Sequence, residues 1–277
     1  MKRLSDCLNN KELLWVPLVF DPLSARIAET SGFKVLYVGG AALGYVKCVT
    51  EANLGLLELV QSGLDIRSVT KAPLILDGAG GFGDPMHLHR TIKVAEAAGF
   101  SAIEIEDQVL PKRAHHHVGI EHNIPTSLMV EKIHAAVSAR ASLDFLIIAR
   151  TNAARNDSLD EAVRRGEAYR RAGADMLLIL QKSPDQAEFI GRRLGPSLVY
   201  MAIGESLSSI RNRRDELIEL GFRMVIDPST PLLASYQALK TAYVEMANFQ
   251  PHVSLAGSGG PSGILNSILS QKSDWRI

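Results

Sequence analysis

Glu104-Ile-Glu-Asp107 places three carboxylates within four residues, and Lys112, Arg113 and the run His115-His116-His117 follow close behind. Carboxylates at the end of a buried strand beside a basic loop suit a hard divalent cation and an anionic substrate. The plain alternative is a solvated strand rim with a decorative histidine run. Asp77 and Arg150 weigh against it, because each closes another apolar run, Ala72–Asp77 and Asp144–Arg150. Period-two alternation sets Glu104 and Glu106 on one face and Asp107 on the other. The face shared with Asp77 and Arg150 is then the candidate site. Asp77 and Glu106 are expected to hold Mg²⁺ or Mn²⁺, largely through waters, since Mg²⁺ keeps much of its hydration. Arg150 is costly to bury alone, so it either pairs with these acids or clamps a substrate carboxylate bidentately. Consecutive histidines on an extended loop point in alternating directions, so His115, His116 and His117 cannot share one metal. One of them is a candidate acid or base, with surface or oligomer contact as the other reading. His87 and His89 precede an apolar helical face and read as packing or rim residues.

The elements that must position these groups form a regular beat. Apolar runs predict strands at Trp15–Phe20, Lys34–Gly40, Ala72–Asp77, Ala102–Asp107, Asp144–Arg150, Ala174–Leu180, Ser197–Ile203 and Phe222–Asp227. Amphipathic stretches between them predict helices at Pro22–Ser31, Leu56–Val69, Met86–Ala98, Ser127–Ala141, Ser158–Ala172, Pro184–Leu194, Ser206–Leu220 and Leu232–Phe249. Continuous apolar strands fit a parallel sheet buried on both faces. Gly32, Gly99, Gly173, Gly195 and Gly221 each follow an expected helix end, and Ser158-Leu-Asp-Glu161 has capping-box spacing. Eight such units predict a (β/α)₈ TIM barrel over residues 1–250, with a C-terminal helical tail at 251–277. An open doubly wound sheet is the competitor, weakened because no glycine-rich dinucleotide fingerprint follows the first strand. In a barrel, chemistry collects at the carboxyl ends of the strands. Those ends carry Tyr37-Val-Gly-Gly-Ala-Ala42, whose small residues let backbone N–H groups approach an anion, then Asp77, Arg150, Tyr200 and Asp227.

The bulk composition narrows the partners. The chain has 277 residues, 46% hydrophobic, with 30 basic and 30 acidic side chains. Zero net charge argues against nucleic acid or an anionic membrane as the main partner. Cys7 and Cys48 are too few and too scattered for a disulfide framework, which predicts a reduced, cytoplasmic setting. The N-terminus lacks an apolar signal core, and no run approaches a membrane span.

Over roughly residues 12–245 the chain resembles the isocitrate lyase/phosphoenolpyruvate mutase superfamily. The resemblance rests on Asp21-Pro-Leu-Ser-Ala-Arg26, Tyr37-Val-Gly-Gly-Ala41, Asn53-Leu-Gly-Leu-Leu57, Asp77-Gly-Ala-Gly-Gly-Phe-Gly83, Ile105-Glu-Asp-Gln-Val-Leu-Pro-Lys-Arg113 and Ile147-Ile-Ala-Arg-Thr-Asn152. It implies a Mg²⁺-dependent barrel enzyme acting on 2-oxo or 2-hydroxy carboxylates through enolpyruvate-like intermediates, usually a tetramer whose last helix packs on a neighbouring barrel. It places metal ligation on Asp77 and Glu106, the carboxylate clamp on Arg150, and backbone contacts on Gly39, Gly40 and Ala41. It also makes Tyr37 and Asn53 substrate-binding residues and 108–124 a gating loop. Several positions depart from the pattern. Ala114 stands where cleaving members carry an acidic Cys, Ala79 where a second Asp is usual, and Asn53 where an Asp is usual. A Glu expected near the end of strand 6 falls at Leu180 or Gln181, and an Asn expected on strand 7 falls near Tyr200. Each lost carboxylate weakens attraction for a divalent cation.

The expected function is a Mg²⁺- or Mn²⁺-dependent lyase or decarboxylase of a small 2-oxo or 2-hydroxy di- or tricarboxylate. Arg150 would fix the carboxylate, Lys112 and Glu106 would serve the reaction, and His116 would carry the proton in place of the missing Cys. Phosphonopyruvate mutase or hydrolase chemistry is the alternative, and a non-catalytic ligand-binding relative is a third reading. The expected partners are a small carboxylate and further copies of the same chain.

Overall fold

A computed structural model of the protein describes residues 3–8, 12–112 and 122–250. The histidine run at 115–117, including His116, and the tail at 251–277 lie outside the described residues.

Eight parallel strands stand at the expected places: β1 (Leu14–Pro17), β2 (Leu36–Val38), β3 (Leu74–Asp77), β4 (Ala102–Glu106), β5 (Leu146–Thr151), β6 (Met176–Ile179), β7 (Leu198–Met201) and β8 (Phe222–Asp227). Their order runs β1-β8-β7-β6-β5-β4-β3-β2. A bridge between Leu18 and Tyr37, with Val19 N–H donating to the Tyr37 carbonyl at 2.8 Å, joins the two ends. The sheet therefore closes as a (β/α)₈ barrel, and the open doubly wound alternative falls.

Alternation along the strands splits the core in two. Val16, Tyr37, Ile75, Ile148, Leu178, Val199 and Ile226 point to the barrel axis, where Leu4 and Cys7 of α1 (Leu4–Leu8) join them. Their neighbours Leu36, Leu76, Ile103, Ile147, Leu177 and Val225 face the surrounding helices. Glu104, Glu106 and Arg150 continue the inward rows toward the carboxyl ends, so buried apolar layers support the polar ones.

The helices are α2 (Pro22–Thr30), α3 (Gly40–Val46), α4 (Leu56–Arg67), α5 (Pro85–Ala97), α6 (Thr126–Ala139), α7 (Ala153–Asn156), α8 (Leu159–Arg171), α9 (Pro184–Leu194), α10 (Leu207–Asn212), α11 (Arg214–Glu219) and α12 (Thr230–Ala247). The five helix-ending glycines all adopt positive φ, as a left-handed cap requires. Three expectations are corrected. Ser206–Leu220 is two helices, because Arg213 leaves helical geometry between them while its side chain holds Glu216. The glycine-rich end of β2 is helical, since Gly39 caps α3. Ser158 does cap α8 by accepting from Glu161 N–H, but the Glu161 carboxylate turns to Arg165 instead of completing the box.

Candidate active site

The inward rows meet in one buried cluster of charges. Arg150 on β5 donates to Glu104 at 2.8 Å and lies 3.4 Å from Glu106, both on the neighbouring β4. Its Nε also donates to Asn152 Oδ1 at 3.1 Å, and Asn152 in turn donates to Glu106 at 3.1 Å. Lys112 Nζ lies 2.9 Å from Glu106 and 2.7 Å from Glu51, and its side chain is only 5% exposed. Tyr37 OH donates to Glu104 at 3.3 Å from the base of the cluster. Asp77, at the end of β3, accepts from the backbone N–H groups of Gly40 and Ala79 at 3.1 and 3.0 Å.

Four carboxylates, Glu51, Asp77, Glu104 and Glu106, thus face two cations, Lys112 and Arg150. The imbalance is visible in their protonation. Burial pushes Glu104 up to about 7 against the pull of Arg150, with Asp77 adding to the rise. Burial and then Glu51 raise Asp77. Burial acts upward on Glu106 too, yet Arg150 and Lys112 together hold it down to about 2. Burial would lower Lys112, but Glu106, Glu51 and Asp77 outweigh it and raise it. Glu106 is therefore the committed anion of the cluster, whereas Glu104 and Asp77 are acids short of positive charge.

A divalent cation fits this cluster by charge, since two carboxylates exceed the available bases. Among the described residues no three His, Cys, Asp or Glu side chains converge at metal-binding distance. A bound ion would draw on Asp77 and Glu106 and complete its shell with water or substrate oxygens. Ala79, at the expected second acid, offers no carboxylate: its N–H donates to Asp77 and its carbonyl accepts from Glu106 N–H at 2.8 Å.

The structure brings together Arg150, Glu106, Lys112, Asp77, Tyr37 and Gly40. Two of the expected residues have particular surroundings. The Gly40 N–H, expected to meet substrate, donates to Asp77 in this structure. A Cβ at Gly40 would stand 2.9 Å from Glu51 Oε1, so glycine leaves room for the close approach of that acid. Asn53 is exposed at the end of a 3₁₀ turn, Glu51–Asn53, while Glu51 turns inward to Lys112. With three residues per turn, positions two apart cannot face the same way. Glu104 lies on the face expected for it, and Glu51 and Asn152 are the cluster members missing from the expected set. The signal for Glu51 was present as an acid two positions before Asn53. Gly39 packs beside the Tyr37 ring and Ala41 stands exposed in the first turn of α3. Tyr200 faces the helix layer and bonds to Glu205, and Gln181 donates to the Met201 carbonyl at 2.8 Å. Asp227 caps the start of α12 through the N–H groups of Ser229 and Thr230. His87 accepts from Asp84 N–H at 3.0 Å at the start of α5, a rim role. A cavity of about 510 Å³, walled by Leu54, Phe82, Val109 and Leu128, reaches the cluster at Glu51 and Lys112.

The sequence of residues 4–247 matches the family model described as phosphoenolpyruvate phosphomutase. The chain belongs to that family. A 2-methylisocitrate lyase of Aeropyrum pernix is 35% identical over 248 residues, covering 88% of this chain and 78% of that protein. An oxaloacetate decarboxylase of Pseudomonas putida is 36% identical over 232 residues, covering 81% and 76%. Among solved structures, phosphonopyruvate hydrolase in complex with oxalate and Mg²⁺ superposes with a TM-score of 0.84 at 28% identity, covering 96% and 94%. This member of the isocitrate lyase/phosphoenolpyruvate mutase superfamily thus keeps the barrel and, in its own arrangement, an acid-rich mouth.

Proposed function

We propose that this family member is a Mg²⁺- or Mn²⁺-assisted carbon–carbon lyase or decarboxylase of a small 2-oxo or 2-hydroxy di- or tricarboxylate. The observation that carries the reading is Arg150, fixed by Glu104, Glu106 and Asn152, beside a two-charge surplus of buried acid. The lyase and decarboxylase relatives agree with it. When bound, the cation supplies charge neutralisation for the developing enolate oxygen. Arg150 holds the substrate carboxylate, exchanging part of its contact with Glu104 for the ligand. Lys112 is held as an ammonium by Glu51 and Glu106 and stands ready to donate at the rim. His116, outside the described residues, is the proposed proton carrier. The superposition on phosphonopyruvate hydrolase favours phosphonate chemistry as the second reading.

The test is proton and phosphorus NMR of the protein with oxaloacetate, 2-methylisocitrate, 2,3-dimethylmalate and phosphonopyruvate, in Mg²⁺, Mn²⁺ or EDTA. Metal-dependent pyruvate formation from a carboxylic acid is the expected result. Turnover of phosphonopyruvate alone would move the chain to the second reading, and no turnover with any of them would refute the lyase assignment for these substrates.

The same proposal includes assembly. α12 buries none of its residues, and Leu233, Tyr236, Leu239 and Tyr243 are each more than half exposed. Beside β1 two open hollows share Phe33 in their walls, one with Leu23 and Ile27 and the other with Trp15 and Leu207. An apolar helix and these hollows on one chain suit exchange between copies. Light scattering should find an oligomer, and Leu239→Asp with Tyr243→Asp should reduce it to monomer; a monomeric wild type would remove the idea. The exposed free Cys48 suits a reducing cytoplasm. No helix among the described residues is long and apolar enough to cross a membrane.

A further inference from the structure

The outer face of β4 and β5 carries a second buried cluster whose side-chain bonds, among the described residues, include none of the side chains assigned to substrate. Asp107 Oδ2 accepts from Tyr169 OH at 2.6 Å, Thr151 Oγ1 at 2.7 Å and Arg165 at 2.9 Å. The same guanidinium nitrogen donates to the Ile124 carbonyl at 2.9 Å, and Arg165 Nε donates to Glu161 at 2.8 Å. The backbone of Asp107 is equally committed. Its N–H donates to the Arg150 carbonyl at 3.1 Å, and its carbonyl accepts from Ile124 N–H at 2.7 Å.

One residue therefore ties β4, β5, α8 and the returning segment at Ile124 to a single point. That point adjoins the working groups on both strands, for Glu106 precedes Asp107 and Arg150 precedes Thr151. It is also where the segment bearing Lys112 departs. Gln108 bridges Asn123 in antiparallel fashion, and Val109 N–H donates to the His122 carbonyl at 2.8 Å. A shift of Asp107 moves Glu106 and the stem of Lys112 together. Stability alone explains such a network poorly, because apolar residues of similar volume fill a core at least as well as a buried ion pair. A planar guanidinium fork does add direction, which an apolar contact lacks.

We propose that Asp107, Arg165 and Tyr169 are positioning residues, which hold the β4 end and the adjoining stem so that Lys112 meets Glu106 and Glu51. The proposal rests on the reading of Lys112 and Glu106 as working residues. Tyr169→Phe deletes one hydroxyl without changing the packing volume, and Arg165→Met deletes the fork.

The experiment measures each variant alone and combined with Lys112→Met, in the full-length enzyme with Mg²⁺. Tyr169→Phe should lower kcat about tenfold and Arg165→Met more, with KM moving less than about twofold. In the Lys112→Met background the same substitutions should change kcat little, because residues acting through one another do not add. Full additivity in that cycle would overturn the proposal. A second readout needs no turnover: acetylation of Lys112 by acetic anhydride, followed by peptide mass spectrometry. Its rate should rise several-fold in Tyr169→Phe, while the buried Lys132, bonded to the Gly80 carbonyl at 2.7 Å, stays protected as the internal control. Faster labelling in a protein without lyase activity would uphold the positioning role and refute the lyase reading. Unchanged labelling would overturn the positioning role, whatever the activity.

Discussion

Strands β4 and β5 carry two ionic clusters back to back, and the two differ in how their charges close. On the helix side, buried Asp107 meets buried Arg165, one acid against one base, and half-buried Glu161 joins Arg165 and the exposed Arg164 at the edge. On the barrel side, four acids face two bases. In the buried part of each, an unpaired ion costs several kcal/mol. The outer cluster avoids that cost by pairing, and the inner one carries it into the folded state. A surplus of buried negative charge at the carboxyl ends of barrel strands is a poor way to stabilise a protein and a good way to attract a cation with its ligand. The difference separates residues that hold from residues that receive.

The strongest break of this comparison is Arg150→Ala. It strips the inner cluster of the base shared by Glu104 and Glu106, whereas the outer cluster is untouched. Leaving two buried carboxylates short of a partner should cost ~3–5 kcal/mol. Turnover should fall by at least about 10³-fold, since both the clamp and the geometry of Glu106 are lost. Denaturant melts and initial rates check the two effects separately. A variant that turns over within about tenfold of wild type would mean the inner cluster is not the site.

A smaller effect sharpens the same contrast at one residue. Glu51→Gln removes a carboxylate from the inner surplus and one of the two anions that hold Lys112. Mn²⁺ affinity, read by electron paramagnetic resonance, should weaken about tenfold, or about 1.4 kcal/mol. Asn53→Ala should move it by less than about twofold, since a single exposed side chain outside the cluster carries little of the field. Equal effects of the two would place Asn53 in the site beside Glu51.

That pair of substitutions marks the boundary of what the sequence discloses. All eight strands were legible because apolar runs, helix-ending glycines and amphipathic stretches repeat in step, each reporting a local preference. Asp77, Glu106 and Arg150 were legible for the same reason: each lies at or next to the carboxyl end of a strand, and alternation fixes its face. Glu51 was not, because its direction depends on a single 3₁₀ turn in a long βα loop, and no periodicity reports the sense of one turn. Gly40 was read as a substrate contact because its lack of a side chain was visible. The acid that uses that space, Glu51, was not. Asp107 was placed on the opposite face, yet its partners Arg165 and Tyr169 lie one turn apart on α8, and only the fold brings them to β4.

Glu104→Gln gives the most diagnostic effect. Glu104 titrates at about 7 in the folded protein against an ordinary 4.5, so between these values the folded state binds more protons than the unfolded one. Stability then falls as pH rises through that window, the reverse of a carboxylate held down by its partners. The interval is worth at most ~3 kcal/mol at 1.36 kcal/mol per unit. In EDTA, Glu104→Gln should match wild type near pH 4.5 and exceed its stability at pH 8, because the amide is never required to ionise. Glu106 supplies the opposite sign on the same strand face. Held down to about 2, it stabilises the protein above its ordinary 4.5, and that stability is lost only as pH falls toward 2. Glu106→Gln should therefore be the less stable protein at pH 8, with the gap narrowing in acid. If Glu104→Gln is instead destabilised at pH 8, the surplus charge is already balanced within the folded chain, and the inner cluster has no unmet demand for a cation.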